Sequence, residues 1–140
     1  EEMEQKANVE ILKRAYEYWD TNKEKAFDNW MDLMDDNVTL RSLADGALGM
    51  EFSRPCFCKD DVLRYFEEIS ENWELVSYKM KEYVAEGDRV VAIGNCHWRY
   101  IETGKDVETP KVDIVTFRDS KIIDFFELYD TAKAIACTQG

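Results

Sequence analysis

A chain of 140 residues, 45% hydrophobic and 13% aromatic, is long enough to build one core and too apolar to be a disordered acidic segment. Thirty acidic residues against 18 basic ones leave a net charge of −12, which repels phosphate backbones and anionic headgroups and speaks against nucleic-acid and membrane partners. No apolar run approaches the ~20 residues of a membrane-crossing helix. The acidic start Glu1-Glu2-Met3-Glu4 lacks a signal-peptide pattern. Cys56, Cys58, Cys96 and Cys137 fit no secreted disulfide framework, so free thiols in a reducing, cytoplasmic setting are expected. A zinc site on Cys56-x-Cys58 lacks ligands, since His97 is the sole histidine.

Along the chain, Val9, Leu12, Tyr16 and Trp19 recur at helical spacing, and Asp20-Thr21-Asn22 reads as the break that follows. A second helix from about Lys23 carries Phe27, Trp30 and Met34 on its apolar stripe and ends at Asp35-Asp36-Asn37, before a short strand from Val38 to Leu43. Residues 44–58, with Gly46, Gly49 and Pro55, form an irregular segment of the length that often carries function. A third helix, capped by Asp60 or Asp61, presents Val62, Phe66, Ile69 and Trp73.

The remainder reads as strands. Val76, Tyr78 and Met80 alternate with polar residues; Glu86-Gly87-Asp88 turns; Arg89–Ile101 is a long strand; and 102–105 turns again. Strands at Val112–Arg118 and Ile122–Tyr129 are joined by Asp119-Ser120-Lys121, and a short helix from Thr131 to Ala136 closes a single domain spanning 1–140. Helices followed by a meander of long strands predict an α+β domain, a strongly curved antiparallel sheet wrapped as a cone around the N-terminal helices, with a pocket at its mouth.

This order of elements resembles the nuclear-transport-factor-2-like superfamily, in particular its SnoaL-like and ketosteroid-isomerase-related members. The likeness is carried by the helix 7–20, Leu33-Met34-Asp35-Asp36-Asn37-Val38, the run 58–66, Glu86-Gly87-Asp88-Arg89-Val90-Val91 and the ending 121–131. The resemblance implies an internal pocket and frequent homodimers. The superfamily's uses range from isomerases and polyketide cyclases to binding modules without chemistry, so fold alone does not assign function.

Asp113 interrupts an apolar strand, and period two sets it on one face with Val115 and Phe117. Facing inward, it needs a partner or a proton; the other reading turns Val112, Ile114 and Thr116 inward and Asp113 to solvent. By resemblance, this is where ketosteroid isomerases keep a protonated aspartic acid as hydrogen-bond donor. Glu127 shares a face with Ile123, Phe125 and Tyr129. It stands where SnoaL-like cyclases carry an acid/base aspartate, the alternative being an ion-paired or surface glutamate. Two carboxyls on one dry cavity would divide into acid and base, which suits proton abstraction beside a carbonyl and calls for no metal or cofactor.

The first strand offers Arg41-Ser42 where steroid isomerases carry their base, and the long strand offers Cys96 and Trp98 where epoxide hydrolases need an arginine and an aspartate. His97 points away from Cys96 and Trp98 and reads as structural; with Asn95, Arg99 and Ile101 it marks an outer face suited to a homodimer. The expected site is therefore Asp113 and Glu127 as catalytic residues, with Trp30, Trp98, Tyr129 and Cys96 shaping a pocket for a small apolar carbonyl compound. The alternative is a ligand-binding or accessory module of the same fold.

Overall fold

The computed structural model describes residues 2–140. Helix α1 (Glu2–Asn22), a 3₁₀ turn (Lys23–Ala26) and α2 (Phe27–Leu33) lead into β1 (Met34–Ser42). A second 3₁₀ turn (Glu51–Ser53) and α3 (Lys59–Asn72) follow, then β2 (Trp73–Glu86), β3 (Arg89–Tyr100), β4 (Asp106–Arg118), β5 (Lys121–Leu128) and α4 (Thr131–Cys137).

The sheet runs β1-β5-β4-β3-β2. Its four later strands form the expected antiparallel meander, and β1 adds to the edge of β5 in parallel, so the whole is a mixed sheet. The helices lie in its concavity, α1 on β2 and β3 and α3 on β1 and β2, which gives the α+β cone. Leu12, Ala15, Tyr16 and Trp19 of α1 meet Val62, Tyr65, Phe66 and Ile69 of α3 in the core. Each fully buried aliphatic or aromatic chain contributes about 1.5–3 kcal/mol of transfer free energy before conformational entropy is set against it.

Several boundaries differ from the sequence reading, each for a local reason. Helix α1 continues through Asp20 because the Asp20 carboxylate has its own partner: it accepts the backbone N–H of Tyr78 at 2.8 Å and pairs with Lys79, tying the helix end to β2. Asp35, Asp36 and Asn37 belong to β1, across an irregular register between Met34 and Thr39. Cys58, not Asp60 or Asp61, is the N-cap of α3, while Asp61 reaches back to accept the N–H of Phe57 at 2.9 Å. Trp73 opens β2 instead of ending α3.

Two register shifts in β2 overturn its simple alternation: Trp73, Leu75 and Tyr78 are buried, while Val76 and Met80 are only half-buried. Strand β4 begins six residues before Val112, at Asp106. Pro110, which reads as a breaker, is tolerated because β5 ends opposite Val112, leaving β4 partnered only by β3 there. In β5 a shift between Thr116 and Phe117 takes Ile123 out of phase, so Ile122, Phe125 and Glu127 face inward.

Gly94 is where the second β2 shift presses closest. A Cβ on Gly94 would lie 2.0 Å from the Lys79 carbonyl oxygen and 2.6 Å from Met80 Cα, both backbone atoms that cannot swing aside. Gly94→Ala is expected to cost at least about 2 kcal/mol in urea unfolding. A stability within about 0.5 kcal/mol of wild type would mean that β2 does not approach β3 this closely.

Candidate functional site

The register assembles one transverse row of residues on the concave face. Ser42 of β1 pairs with Glu127 of β5, Glu127 with Asp113 of β4, and Asp113 with Ala92 of β3. Lys111, two positions before Asp113, lies on the same face and pairs with Gly94. The small residues Ala92 and Gly94 thus stand beside the two charged chains of β4.

Like charges directly across an antiparallel pair repel, and here Lys111 resolves the conflict. Its Nζ donates to Asp113 Oδ1 at 2.5 Å and to the Tyr78 hydroxyl at 2.7 Å, and forms an ion pair with Glu127 Oε1 at 3.0 Å. Asp113 Oδ2 accepts the hydroxyls of Tyr16 at 2.6 Å and Tyr78 at 3.0 Å. Glu127 Oε2 accepts the hydroxyl of Tyr65 at 2.5 Å. Ser42 Oγ and the Tyr129 hydroxyl form a further pair at 3.0 Å.

Burial governs the protonation states. Burial lifts the Asp113 carboxyl above its ordinary range, Lys111 pulls it back only in part, and Glu127 adds to the rise. Burial works against the Lys111 ammonium, yet the charges of Asp113 and Glu127 outweigh it and hold the amine protonated, above its usual range. Burial, then the charge of Asp113 or Glu127, drives Tyr16, Tyr78 and Tyr65 well above their normal value, so all three hydroxyls stay donors. The Cys96 thiol is pushed up to about 12 by burial, with Lys111 opposing, and is not a thiolate at neutral pH.

Beside this network lies a cavity of about 450 Å³, counting its open mouth. Glu127, Lys111, Tyr65 and Tyr78 form its polar wall, and the aromatic side is Trp19, Phe52, Trp73, Trp98 and Tyr129. Met50 and Phe52 of the irregular 44–58 segment complete the lining, held by a bridge in which Leu40 and Cys56 exchange backbone hydrogen bonds of 3.0 and 2.9 Å. Glu127 is 7% exposed and lines the cavity; Asp113 is 0% exposed and sits behind the network.

The SnoaL-like domain family matches residues 12–125. The chain belongs to this family. Solved structures share the fold of this SnoaL-like chain at low identity. An NTF2-like protein of unknown function from Burkholderia pseudomallei K96243 superposes with a TM-score of 0.81 at 16% identity, over 95% of this chain and 98% of that one. A putative SnoaL-like polyketide cyclase from Jannaschia sp. CCS1 gives 0.78 at 15% identity, over 97% and 94%. A hypothetical protein with a ketosteroid isomerase-like fold from Catenulispora acidiphila DSM 44928, in complex with trimethylamine, gives 0.73 at 13% identity, over 92% of each chain. No curated protein matches the chain in sequence.

Among the residues singled out in the SnoaL-like sequence, Glu127, Trp98, Tyr129 and Cys96 stand together on the cavity. Trp30 does not; it lines a small adjoining inner space with Trp19, Tyr65, Tyr78, Phe125 and Glu127. Tyr129 lies just past the end of β5. His97 is outside, 3.0 Å from Asp106 and 3.4 Å from Glu108. Cys56 is buried and half-buried Cys58 caps α3; among the described residues all four cysteines are free. No helix is long and apolar enough to cross a membrane. Sequence reasoning missed Lys111, Tyr16, Tyr65 and Tyr78. Lys111 shares the period-two phase of Asp113, Val115 and Phe117, a signal hidden by starting the strand at Val112.

Lys111→Met removes the only cation of the network and leaves two facing carboxylates. The variant is expected to lose about 3–5 kcal/mol at pH 7. A carboxyl whose folded pKa is raised stabilises the folded state most when protonated, an effect lost as pH rises through the folded value. The deficit of Lys111→Met therefore shrinks as pH falls below neutral and Asp113 takes up its proton. Urea unfolding at pH 5 and pH 7 measures both effects; wild-type stability at pH 7 would contradict the charge bridge.

Proposed function

We propose that this chain is a cofactor-independent isomerase or cyclase type of enzyme, in which Glu127 removes a proton beside the carbonyl of a small, largely apolar compound. The observation that carries the reading is the Glu127 carboxylate on the wall of an aromatic-lined cavity, with Lys111 and Tyr65 fixing both of its oxygens. In the step proposed, the α C–H bond breaks, its proton passes to Glu127, and the electron pair forms an enolate whose oxygen takes the charge. Return of the proton to another carbon isomerises the compound; attack of the enolate carbon on a second carbonyl closes a ring. Asp113, having no exposed surface, acts through Lys111, which it holds by a hydrogen bond and which is ion-paired with Glu127. Trp98, Tyr129 and Cys96 shape the pocket, and Trp30 supports it from the inner space.

Exchange of the α-hydrogens of small cyclic ketones for deuterium, followed by proton NMR in D₂O, tests the step. The wild-type protein should accelerate exchange, and Glu127→Gln should slow it by about 10²–10⁴-fold without loss of folding. Equal rates in the two proteins would remove Glu127 from the chemistry. A second reading, a pocket that binds without chemistry, is favoured by Ser42, whose hydroxyl is tied to Tyr129 at the position where a steroid-isomerase base would fall. Binding of ketones with no exchange on any of them would decide for it.

A homodimer through the convex sheet face belongs to the same proposal. Val91, Ile114 and Phe126 form one cross-strand row of half-buried apolar residues there, and Ile93, Val112 and Leu128 form a second. His97 and Arg99 are engaged by Asp106 and form its charged margin. Sedimentation should show a dimer at micromolar concentration that Ile93→Glu dissociates; a wild-type monomer would refute it.

A further inference from the structure

Four buried side-chain nitrogens have no hydrogen-bond partner among the described residues: the indole N–H groups of Trp19, Trp30 and Trp73, and one guanidinium nitrogen of Arg64. Arg64 lies in the N-terminal half of α3, 3.3 Å from the Cys56 sulfur, and Trp30 lines the inner space. Trp19 and Trp73 differ from both, because their rings line the cavity that carries Glu127, at 8% and 5% exposure. Together with Trp98 they also border the surface depression beyond it.

A buried donor without an acceptor is costly and calls for an explanation. The polar wall offers none. Lys111 donates to Asp113 and Tyr78 and is ion-paired with Glu127, Tyr78 both donates and accepts, and Tyr65 donates to Glu127. Capacity to bind a ligand by hydrogen bonds therefore remains in lone pairs on Glu127, in the hydroxyl hydrogen left over from the Ser42–Tyr129 pair, and in the N–H groups of the two indoles, and of these only the indoles are buried donors with no partner at all. The buried charges of Asp113, Glu127 and Lys111 sum to −1, which disfavours carboxylates and phosphates. The aromatic faces of Phe52, Trp98 and Tyr129 suit a flat skeleton.

We propose that Trp19 and Trp73 are the carbonyl-binding donors of this cavity, and that its ligand class is neutral, flat ketones whose oxygen is held by indole N–H groups. The inference deepens the acid–base reading of the site, since a carbonyl held there brings its α-carbon to the cavity that Glu127 lines. As the α-proton leaves, the oxygen gains negative charge and the N–H bonds to it strengthen.

The test compares 1-indanone with indane, the same skeleton without oxygen, on ¹⁵N-labelled protein. The four tryptophans give four indole N–H signals, assigned by single Trp→Phe variants. With 1-indanone, the Trp19 and Trp73 signals should move downfield; with indane they should not. Trp19→Phe and Trp73→Phe keep the aromatic bulk, and each should weaken 1-indanone about tenfold, the loss of one hydrogen bond, while changing indane less than about twofold. Indole signals that stay still, or that move equally with indane, overturn the proposal. So do signals already shifted upfield by a neighbouring ring and unmoved by ketone, which would show that N–H···π contacts satisfy them. If a variant fails to fold, the wild-type spectra decide alone. Loss of deuterium exchange with an intact indole response would condemn the Glu127 step and leave this proposal standing; the converse result would condemn only the indoles.

Discussion

Everything on the concave face is arranged around one buried ammonium. Asp113 and Glu127 are cross-strand neighbours, and without a cation between them the middle of the sheet would hold two facing carboxylates in an apolar shell. Lys111 joins them from the same strand as Asp113, and the tyrosines of three separate elements complete the arrangement: Tyr16 from α1, Tyr65 from α3 and Tyr78 from β2. The network therefore does more than balance charge. It fixes where both helices and the outer part of the meander stand relative to β4 and β5. Replacing such a network by apolar residues can leave a protein as stable or more so, so its presence on a cavity wall points to the use of its charges rather than to stability.

Neighbouring features follow from the same constraint. Ala92 and Gly94 on β3 are small where Asp113 and Lys111 pair with them, and Gly94 also admits the shifted backbone of β2. The earlier shift in β2, between Leu75 and Ser77, brings Tyr78 into phase with Trp73 and Leu75, the inward face from which its hydroxyl reaches Asp113 and Lys111. The irregular 44–58 segment covers the remaining side, and Gly49, at φ +89°, passes so close to Thr138 that a Cβ would fall 2.5 Å from its hydroxyl. The cavity wall thus depends on contacts between the 44–58 segment and the C-terminal end of the chain.

The fold could be read from the sequence because its signals are local and repeated: helical stripes, long alternating strands, and Gly87 and Gly104 at turns. The orientation of Asp113 could be read only in part: strand period sets it on one face with Val115 and Phe117, but the other face is apolar too, and the fold decides that Asp113 turns inward. The partners could not. Tyr16, Tyr65 and Tyr78 lie on stripes where a tyrosine looks like any core aromatic, and only the three-dimensional fold brings them to the carboxylates. Lys111 escaped because the strand reads as starting at Val112, whereas β4 continues back to Asp106 by pairing with β3 alone. Bulges account for the remaining differences, as at Ile123 and along β2, where one extra residue reverses the face of those that follow.

The state of each group narrows the chemistry that the wall can perform. Lys111 is held protonated by two carboxylates and has no free lone pair for imine formation. Cys96 stays a thiol at neutral pH, which removes thiolate attack. The tyrosine hydroxyls on the network are donors already committed to acceptors. What is left to meet a ligand is a carboxylate oriented by two donors and backed by a second carboxylate that can share the proton load through Lys111 and Tyr78. An arrangement of that kind takes protons from a ligand more readily than it attacks one. Its preorganisation is already supplied by folding, since no bond within it has to be made when a ligand enters.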